Sequence, residues 1–328
     1  MPEEPRWLLI FALMGAGFIF LFKGAGWLVS GSSQIARRFG VSVLVVGLTV
    51  VAFGTSAPEI VVSSFAALEG KPDISLGNVL GSNIANVGLV LGACALVLPR
   101  VLESRQKPRE LLWLFGSLGL LWWLASDFDI TRVDAVILLG AFVLYNVNVL
   151  LSPRGAPVHS EAKEDKRSYM HVLLGILFVA VGAKFVVMGA ESGAARLGIP
   201  ASVIGLTVVA VGTSLPELAA GLGGAFKGDS DISLGNVVGS NVFNLLAVIG
   251  IVGLIQPLDP RVFEGAGAEG LHSAFACALN RDFPVVLGFS VVAVVLPWIG
   301  GGTGGRAKGA FLLLAYVAYT GWLYASEV

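Results

Sequence analysis

Two glutamates stand where a carboxylate is costly. Glu59 lies in GLTVVAFGTSAPEI (residues 47–60) and Glu217 in GLTVVAVGTSLPEL (residues 205–218), each within an apolar run and each directly after a proline. A charged side chain at the centre of a bilayer costs about 2.5–3.5 kcal/mol on insertion scales, so a carboxylate kept there marks a functional site. Proline removes an amide donor and clashes with the carbonyl four residues earlier. For Pro58 and Pro216 those carbonyls belong to Gly54 and Gly212, which leaves backbone oxygen free beside each glutamate. Thr55, Ser56, Thr213 and Ser214 add hydroxyl oxygens on the same turns. A donor set made only of oxygen suits hard cations, and Ca²⁺ takes six to eight such ligands. Softer metals favour His or Cys, which neither motif contains. Ca²⁺ and Na⁺ are the ions this chemistry fits.

A second block follows each glutamate. In GNVLGSNIAN, Gly77, Gly81, Ser82 and Asn86 recur about every four residues and so share one helical face; GNVVGSNVFN repeats this with Gly235, Gly239, Ser240 and Asn244. The glycines read as a packing seam of small residues. Ser82, Asn86, Ser240 and Asn244 read as a polar lining.

Both blocks belong to an internal duplication. Residues 47–92 align with 205–250 without a gap at an offset of 158, with 26 of 46 positions identical, a level chance does not produce. A single GTSxPE would be equally well read as a kinked helix whose glutamate is satisfied by a hydrogen bond. Two copies, each with its oxygen cluster, favour an ion site.

The elements that must carry these residues are membrane helices. Hydrophobic residues make up 55% of the chain and charged ones 13%, against about 25% charged in soluble domains. A net charge of -1 offers no basic surface for nucleic acid. At about 20 apolar residues per span, ten spans are expected: 7–36, 42–68, 73–98, 110–126, 130–151, 169–195, 201–226, 231–256, 284–299 and 308–325. The first is read as a span rather than a cleaved signal. The polar linker 152–168 divides the chain into a first five-helix repeat (1–151) and a second (169–328). Five spans per half is an odd number, so the second half enters the membrane from the opposite side. The fold class expected is therefore an all-α membrane protein of ten transmembrane helices in two inverted five-helix repeats. Inverted repeats characterise secondary transporters, whose substrate sites lie near the midplane where broken helices of the two halves meet.

Lys and Arg concentrate in alternate loops, including Arg37, Arg38, Arg100, Arg109, Lys163, Lys227 and Arg306. The positive-inside rule then puts the 152–168 linker in the cytoplasm and both termini outside. Lys23 and Lys184 are read as snorkelling to an interface, Asp73 and Asp231 as helix N-caps, and the segment 259–280 as a loop with an interfacial piece. Cys94 and Cys277 are read as small buried residues, Glu161, Glu164 and Asp165 as solvated, and His159, His171 and His272 have no ligand spacing.

GTSAPE with GNVLGSN, and GTSLPE with GNVVGSN, resemble the two alpha repeats of the calcium/cation antiporter superfamily, of the prokaryotic sodium/calcium exchanger type. The resemblance covers nearly the whole chain. It implies an antiporter that exchanges Na⁺ for Ca²⁺ by alternating access, with central sites lined by the second, third, seventh and eighth helices. Glu59 and Glu217 would be the calcium-binding carboxylates. Thr55, Ser56, Thr213 and Ser214 would add hydroxyl or carbonyl oxygens, Ala52 and Ala210 backbone carbonyls, and Ser82, Asn86, Ser240 and Asn244 the remaining lining. Some prokaryotic exchangers and the potassium-dependent branch carry Asp where this chain has Asn244, which speaks against potassium dependence. The long, glycine-interrupted first and sixth spans would pair outside the site, where such helices slide as a gate in the family. The short linker leaves no room for large regulatory domains. The expected partners are the two ions and a lipid bilayer, in a prokaryotic inner or plasma membrane, with no cofactor. Two rivals stay open: a proton-coupled cation antiporter and, in a different class, a cation channel. No nucleophile and base share a motif, so an enzyme is not expected.

Overall fold

The computed structural model describes residues 7–39, 43–68, 72–103, 108–151, 167–197, 210–258 and 278–327. The expectations for most of the 152–168 linker, for 259–277, and for Cys277, His159 and His272 lie outside these residues, as do residues 201–209 and the side chains of Asp73 and Ala210.

Ten helical segments follow in order: α1 (Trp7–Phe39), α2 (residues 43–68), α3 (residues 72–97), α4 (Pro108–Leu124), α5 (Arg132–Leu150), α6 (Arg167–Arg196), α7 (described over 210–226), α8 (residues 230–255), α9 (residues 278–302) and α10 (Gly305–Glu327). They coincide with the ten expected spans. Among the described residues, six of them, and α2 taken as one bent span, are long and apolar enough to cross a membrane. The polarity is inside out: Phe11, Phe22, Leu112, Trp123, Leu144 and Leu314 are exposed, whereas the buried residues include Glu59, Glu217 and six asparagines and serines of α3 and α8, namely Ser82, Asn83, Asn86, Ser240, Asn241 and Asn244. An apolar exterior around polar interior groups is the arrangement a lipid solvent requires. The middle of the molecule is α3 and α8, with 78% and 83% of their spans enclosed against 22% for α5.

Contacts at the helix ends fix which loops share a side. The Arg100 Nη2 donates to Gly228 O at 3.0 Å, and Lys227 Nζ to Gly26 O and Ser30 Oγ at 2.6 and 2.5 Å. Ser168 Oγ donates to Gln34 Oε1 at 3.0 Å, and Gly305 N to Glu103 Oε1 at 3.2 Å. The ends of α1, α3, α7 and the starts of α6 and α10 therefore lie together. Ile130 and Leu258 pair as an antiparallel bridge linking the α4–α5 turn to the end of α8. One expected cap moves: the N-cap of α8 is Asp229, whose side chain accepts from Ile232 N, and Asp231 is an exposed first-turn residue. An N-cap sits outside the helix, and α8 begins one residue earlier than the sequence suggests.

α1 and α6 run antiparallel in the most extensive helix pairing of the molecule. Gly17, Gly24 and Gly31 on α1, and Gly175, Gly182 and Gly189 on α6, recur every seven residues, the spacing that keeps one face on its partner along a left-handed supercoil. These glycines are demanded by close approach. A Cβ on Gly24 would lie 2.9 Å from Gly175 O, one on Gly175 2.6 Å from Leu28 N, and one on Gly182 2.7 Å from Leu21 N. The obstacle in each case is backbone, which cannot swing aside. Gly175→Val should therefore cost about 1–3 kcal/mol or more through overpacking, lowering the melting temperature of the purified protein by several degrees. Gly15→Val, at a position where an added Cβ meets nothing within 4 Å, should leave it unchanged in the same thermal scan.

Candidate cation site

The prolines do more than kink a continuous helix. In α2 the helix stops at Ser56 (φ −85°, ψ 7°) and a new one begins at Ala57, bent from the first by 43°. In α7 the same break falls at Ser214 (φ −86°, ψ 0°), and the new helix runs Leu215–Phe226. Pro58 and Pro216 occupy the first turn of the new helix, where an amide has no intrahelical acceptor and its loss costs nothing. Glu59 and Glu217 follow in that same first turn. The helix dipole and the free amides of a first turn favour a carboxylate there. Each break thus sets two opposite ends side by side, carbonyl oxygens ending one helix and amides with a carboxylate opening the next.

The side chains of α2, α7 and α8 join in one network. Ser56 Oγ donates to Glu217 Oε1 at 2.9 Å. Asn236 Nδ2 donates to the Glu217 carbonyl at 3.1 Å, while Asn236 Oδ1 accepts from Thr55 Oγ1 at 3.3 Å. The Thr55 hydroxyl also lies 3.4 Å from Ser240 Oγ and donates to Ala52 O at 3.3 Å. Ala52 O accepts from Ser56 N as well, at 3.0 Å, so the carbonyl expected to face an ion is engaged within the helix. Glu59 stands beside Ser82 and within electrostatic reach of Glu217. Between α3 and α8, Asn86 Nδ2 donates to Asn241 Oδ1 at 3.0 Å and Asn244 Nδ2 to Asn83 Oδ1 at 3.5 Å.

Seven buried oxygens here have no hydrogen-bond partner among the described residues: both carboxylate oxygens of Glu59, Glu217 Oε2, Ser82 Oγ, Ser214 Oγ, Asn86 Oδ1 and Asn244 Oδ1. A buried unsatisfied polar atom costs about 1–3 kcal/mol, and more when charged. Seven of them on four converging helices form an all-oxygen donor set of the kind a hard cation takes. Thr213 is buried on the same turn as Ser214, and Ala210 opens the described part of α7. All four expected site helices are brought together.

Three members of the network escaped the sequence reading. Asn236, Asn83 and Asn241 lie in the GNV and GSN blocks, each identical to its counterpart at the 158-residue offset. That identity was the available signal; a strict four-residue face passed over them. The helices themselves bend the rule. α3 and α8 widen into π turns over Asn86–Leu91 and Asn244–Val248, starting at the two lining asparagines, and such turns recur at functional sites. A third wide turn, Gly47–Val51, directs Ala52 N to Gly47 O and Thr49 O. Leu48 O is left over and accepts from the buried Tyr145 hydroxyl at 3.2 Å.

The two copies agree in backbone and differ in hydrogen bonding. Ser56 reaches Glu217, whereas Ser214 Oγ and the Glu59 oxygens have no hydrogen-bond partner among the described residues. Asn236 is fully buried against Glu217, whereas Asn78 is half-buried and donates to Ser63 Oγ at 2.9 Å. Gly235 and Gly239 are buried against α2, with an added Cβ 3.0 Å from Leu44 O and 2.7 Å from Leu48 O respectively; Gly77 and Gly81 are half-buried. One half of the site is tied shut and the other is looser.

The family model for the sodium/calcium exchanger protein matches residues 9–151 and 168–325. Sodium/calcium exchanger MaX1 of Methanosarcina acetivorans is 31% identical over 94% of this chain and 97% of its own length. Inner membrane protein YrbG of Escherichia coli is 32% identical over 97% of each chain. A solved structure of the sodium-calcium exchanger NCX_Mj soaked with Na⁺ and Sr²⁺ superposes with a TM-score of 0.75 at 31% identity, covering 95% of this chain and 98% of that one.

The Ser56 tie to Glu217 gives a direct test of the network. Ser56→Ala removes both a hydroxyl oxygen and a hydrogen bond to a charged group, worth about 1.5–3 kcal/mol. Calcium binding by the solubilised protein, followed by isothermal titration calorimetry, should weaken at least tenfold; unchanged affinity would exclude Ser56 from the site.

Proposed function

The chain belongs to the sodium/calcium exchanger family, and from that premise we propose how it exchanges sodium for calcium across a membrane. The observation that carries the reading is the pair Glu59 and Glu217, one from each half, both fully buried at a helix break and both with carboxylate oxygen unpartnered among the described residues. Two carboxylates in a medium of low dielectric repel each other, and one Ca²⁺ cancels their combined charge. Na⁺ ions cancel it too. Competition for one set of oxygens couples the two ions: the site empties of one only as it accepts the other.

Glu59 and Glu217 are the calcium carboxylates in this scheme. Thr55, Ser56, Thr213 and Ser214 supply hydroxyl or carbonyl oxygen, as do the backbones of Ala52 and Ala210, with Ser82, Asn86, Ser240 and Asn244 completing the lining. For Ala52 this requires the Thr55 hydroxyl to turn away from its carbonyl when an ion enters. The looser half, around Glu59 and Ser214, is the one whose oxygens are left for an incoming ion, and exchanging the ties between the two copies would offer those of the other half. A neutral Asn244 leaves no third acidic side chain, which favours independence from potassium.

The organisation follows. Residues 1–151 and 169–328 form the two inverted repeats, with motifs at 47–92 and 205–250, joined by a cytoplasmic linker at 152–168. Both termini face outside by the distribution of Lys and Arg. A prokaryotic inner or plasma membrane suits the chain, as the name of the Escherichia coli inner membrane relative supports.

Purified protein in sodium-loaded liposomes tests the scheme through uptake of radiolabelled calcium against imposed sodium, potassium or proton gradients. Uptake should follow the sodium gradient and ignore potassium. Uptake driven by protons and indifferent to sodium would overturn the ion assignment, and calcium flux persisting without any counter-ion gradient would identify a channel. Glu59→Gln and Glu217→Gln should each reduce uptake to background while the proteins elute as monodisperse peaks; near-normal uptake in either would remove that residue from the site.

A further inference from the structure

We propose that Asn83 and Asn241 are positioning residues, which fix the amide direction of Asn244 and Asn86 so that two neutral side-chain oxygens face the ions. The inference rests on the reading of the site given above. An asparagine amide has two unlike faces, an oxygen that accepts and a nitrogen that donates. Only the oxygen face serves a cation; the nitrogen presents positive hydrogens and repels it.

The two pairs cross between α3 and α8 at the most enclosed place in the molecule. Asn86 Nδ2 donates to Asn241 Oδ1 at 3.0 Å, and Asn244 Nδ2 donates to Asn83 Oδ1 at 3.5 Å. All four side chains are buried. The residue numbers differ by 158 within both relations, 83 with 241 and 86 with 244, so each contact is the image of the other under the relation between the halves. With each amide nitrogen engaged across the interface, the ends left over on Asn86 and Asn244 are their oxygens, and both are buried without a hydrogen-bond partner among the described residues.

The longer pair shows how the orientation is chosen. Asn83 Nδ2 is also without a hydrogen-bond partner among the described residues. Turning both amides of that pair around would keep one internal hydrogen bond and leave Asn83 Oδ1 and Asn244 Nδ2 free instead. The internal count is equal either way, and the orientation found, with Asn83 as the acceptor, is the one that leaves the Asn244 oxygen for a cation. Without Asn83, the Asn244 amide rotates freely between an attractive and a repulsive face.

Sodium-driven calcium uptake in liposomes tests this. Asn83→Ala and Asn241→Ala should each raise the KM for calcium about tenfold with the maximal rate within about twofold of wild type. Asn83→Asp, which can only accept, should keep the wild-type KM or lower it. Asn83→Ala should add nothing to Asn244→Ala, through which it acts, whereas combined with Asn86→Ala the two effects should multiply. An unchanged KM in the alanine variants, equal loss in Asn83→Ala and Asn83→Asp, or a multiplicative effect of Asn83→Ala with Asn244→Ala would each overturn the proposal. Should Asn83→Ala not fold, Asn241→Ala acting through Asn86 carries the same cycle. Glu59→Gln in the same preparation separates the two ideas. Its uptake at background with Asn83→Ala at wild-type KM overturns the positioning role alone, and its uptake near wild type overturns the ion site beneath it.

Discussion

The constraint on which the structure depends is that two carboxylates lie in the middle of a molecule whose exterior is hydrocarbon-like. Taking a charge out of water is tolerated only where protein groups or ions answer it. The chain answers Glu217 in part, through Ser56 Oγ at 2.9 Å, and leaves both Glu59 oxygens without a hydrogen-bond partner among the described residues. Full internal satisfaction would give a stable core with no affinity for ions. No satisfaction would make the fold itself dependent on them. The helix breaks supply the intermediate: a helix N-terminus lends each carboxylate a favourable dipole without using its lone pairs.

Everything around the breaks serves to keep their geometry while allowing movement. α3 and α8 form a dense middle and cross through buried asparagines, while α8 packs on α2 through close approaches such as Gly239 against Leu48 O. α1 and α6 pair outside it along heptad-spaced glycines where the two backbones approach closely, with the rings of Phe20 and Trp27 packed against Phe178 beside them. Lys227 ties α1 to the end of α7 by two short hydrogen bonds to Gly26 O and Ser30 Oγ.

Most of this was legible because membrane solvent simplifies the code. Apolar runs of the right length gave all ten helices, and an odd number per half forced the inversion. The glutamates declared themselves by their cost. What periodicity could not show was the wide turn at Asn86 and at Asn244, since a π turn changes the angular step by an amount no residue type specifies. The same limit hid Asn83 and Asn241: on an ideal helix they lie off the face of Ser82 and Asn86, and only the partner helix brings them into the network. Proline was read correctly as a disruption and incorrectly as a kink, because whether a helix bends or restarts depends on the ψ of the residue before the break, Ser56 or Ser214, and serine accommodates both.

The asymmetry between the halves has a cause in the letters themselves. Ser63 aligns with Gly221 at the 158-residue offset. In the first copy the amide of Asn78 donates to the Ser63 hydroxyl at 2.9 Å. In the second there is no hydroxyl at that place, and the equivalent amide of Asn236 reaches the Glu217 carbonyl at 3.1 Å instead. Identical copies would make the two ways of sharing the ties equal in energy, and the two faces of the membrane equivalent. One hydrogen bond made in one half and diverted in the other is worth about 0.5–1.5 kcal/mol, enough to shift a two-state ratio roughly 2- to 13-fold. The duplication supplies two matching sets of polar groups, and positions at which the copies diverge, such as Ser63 and Gly221, decide how the ties are shared between them.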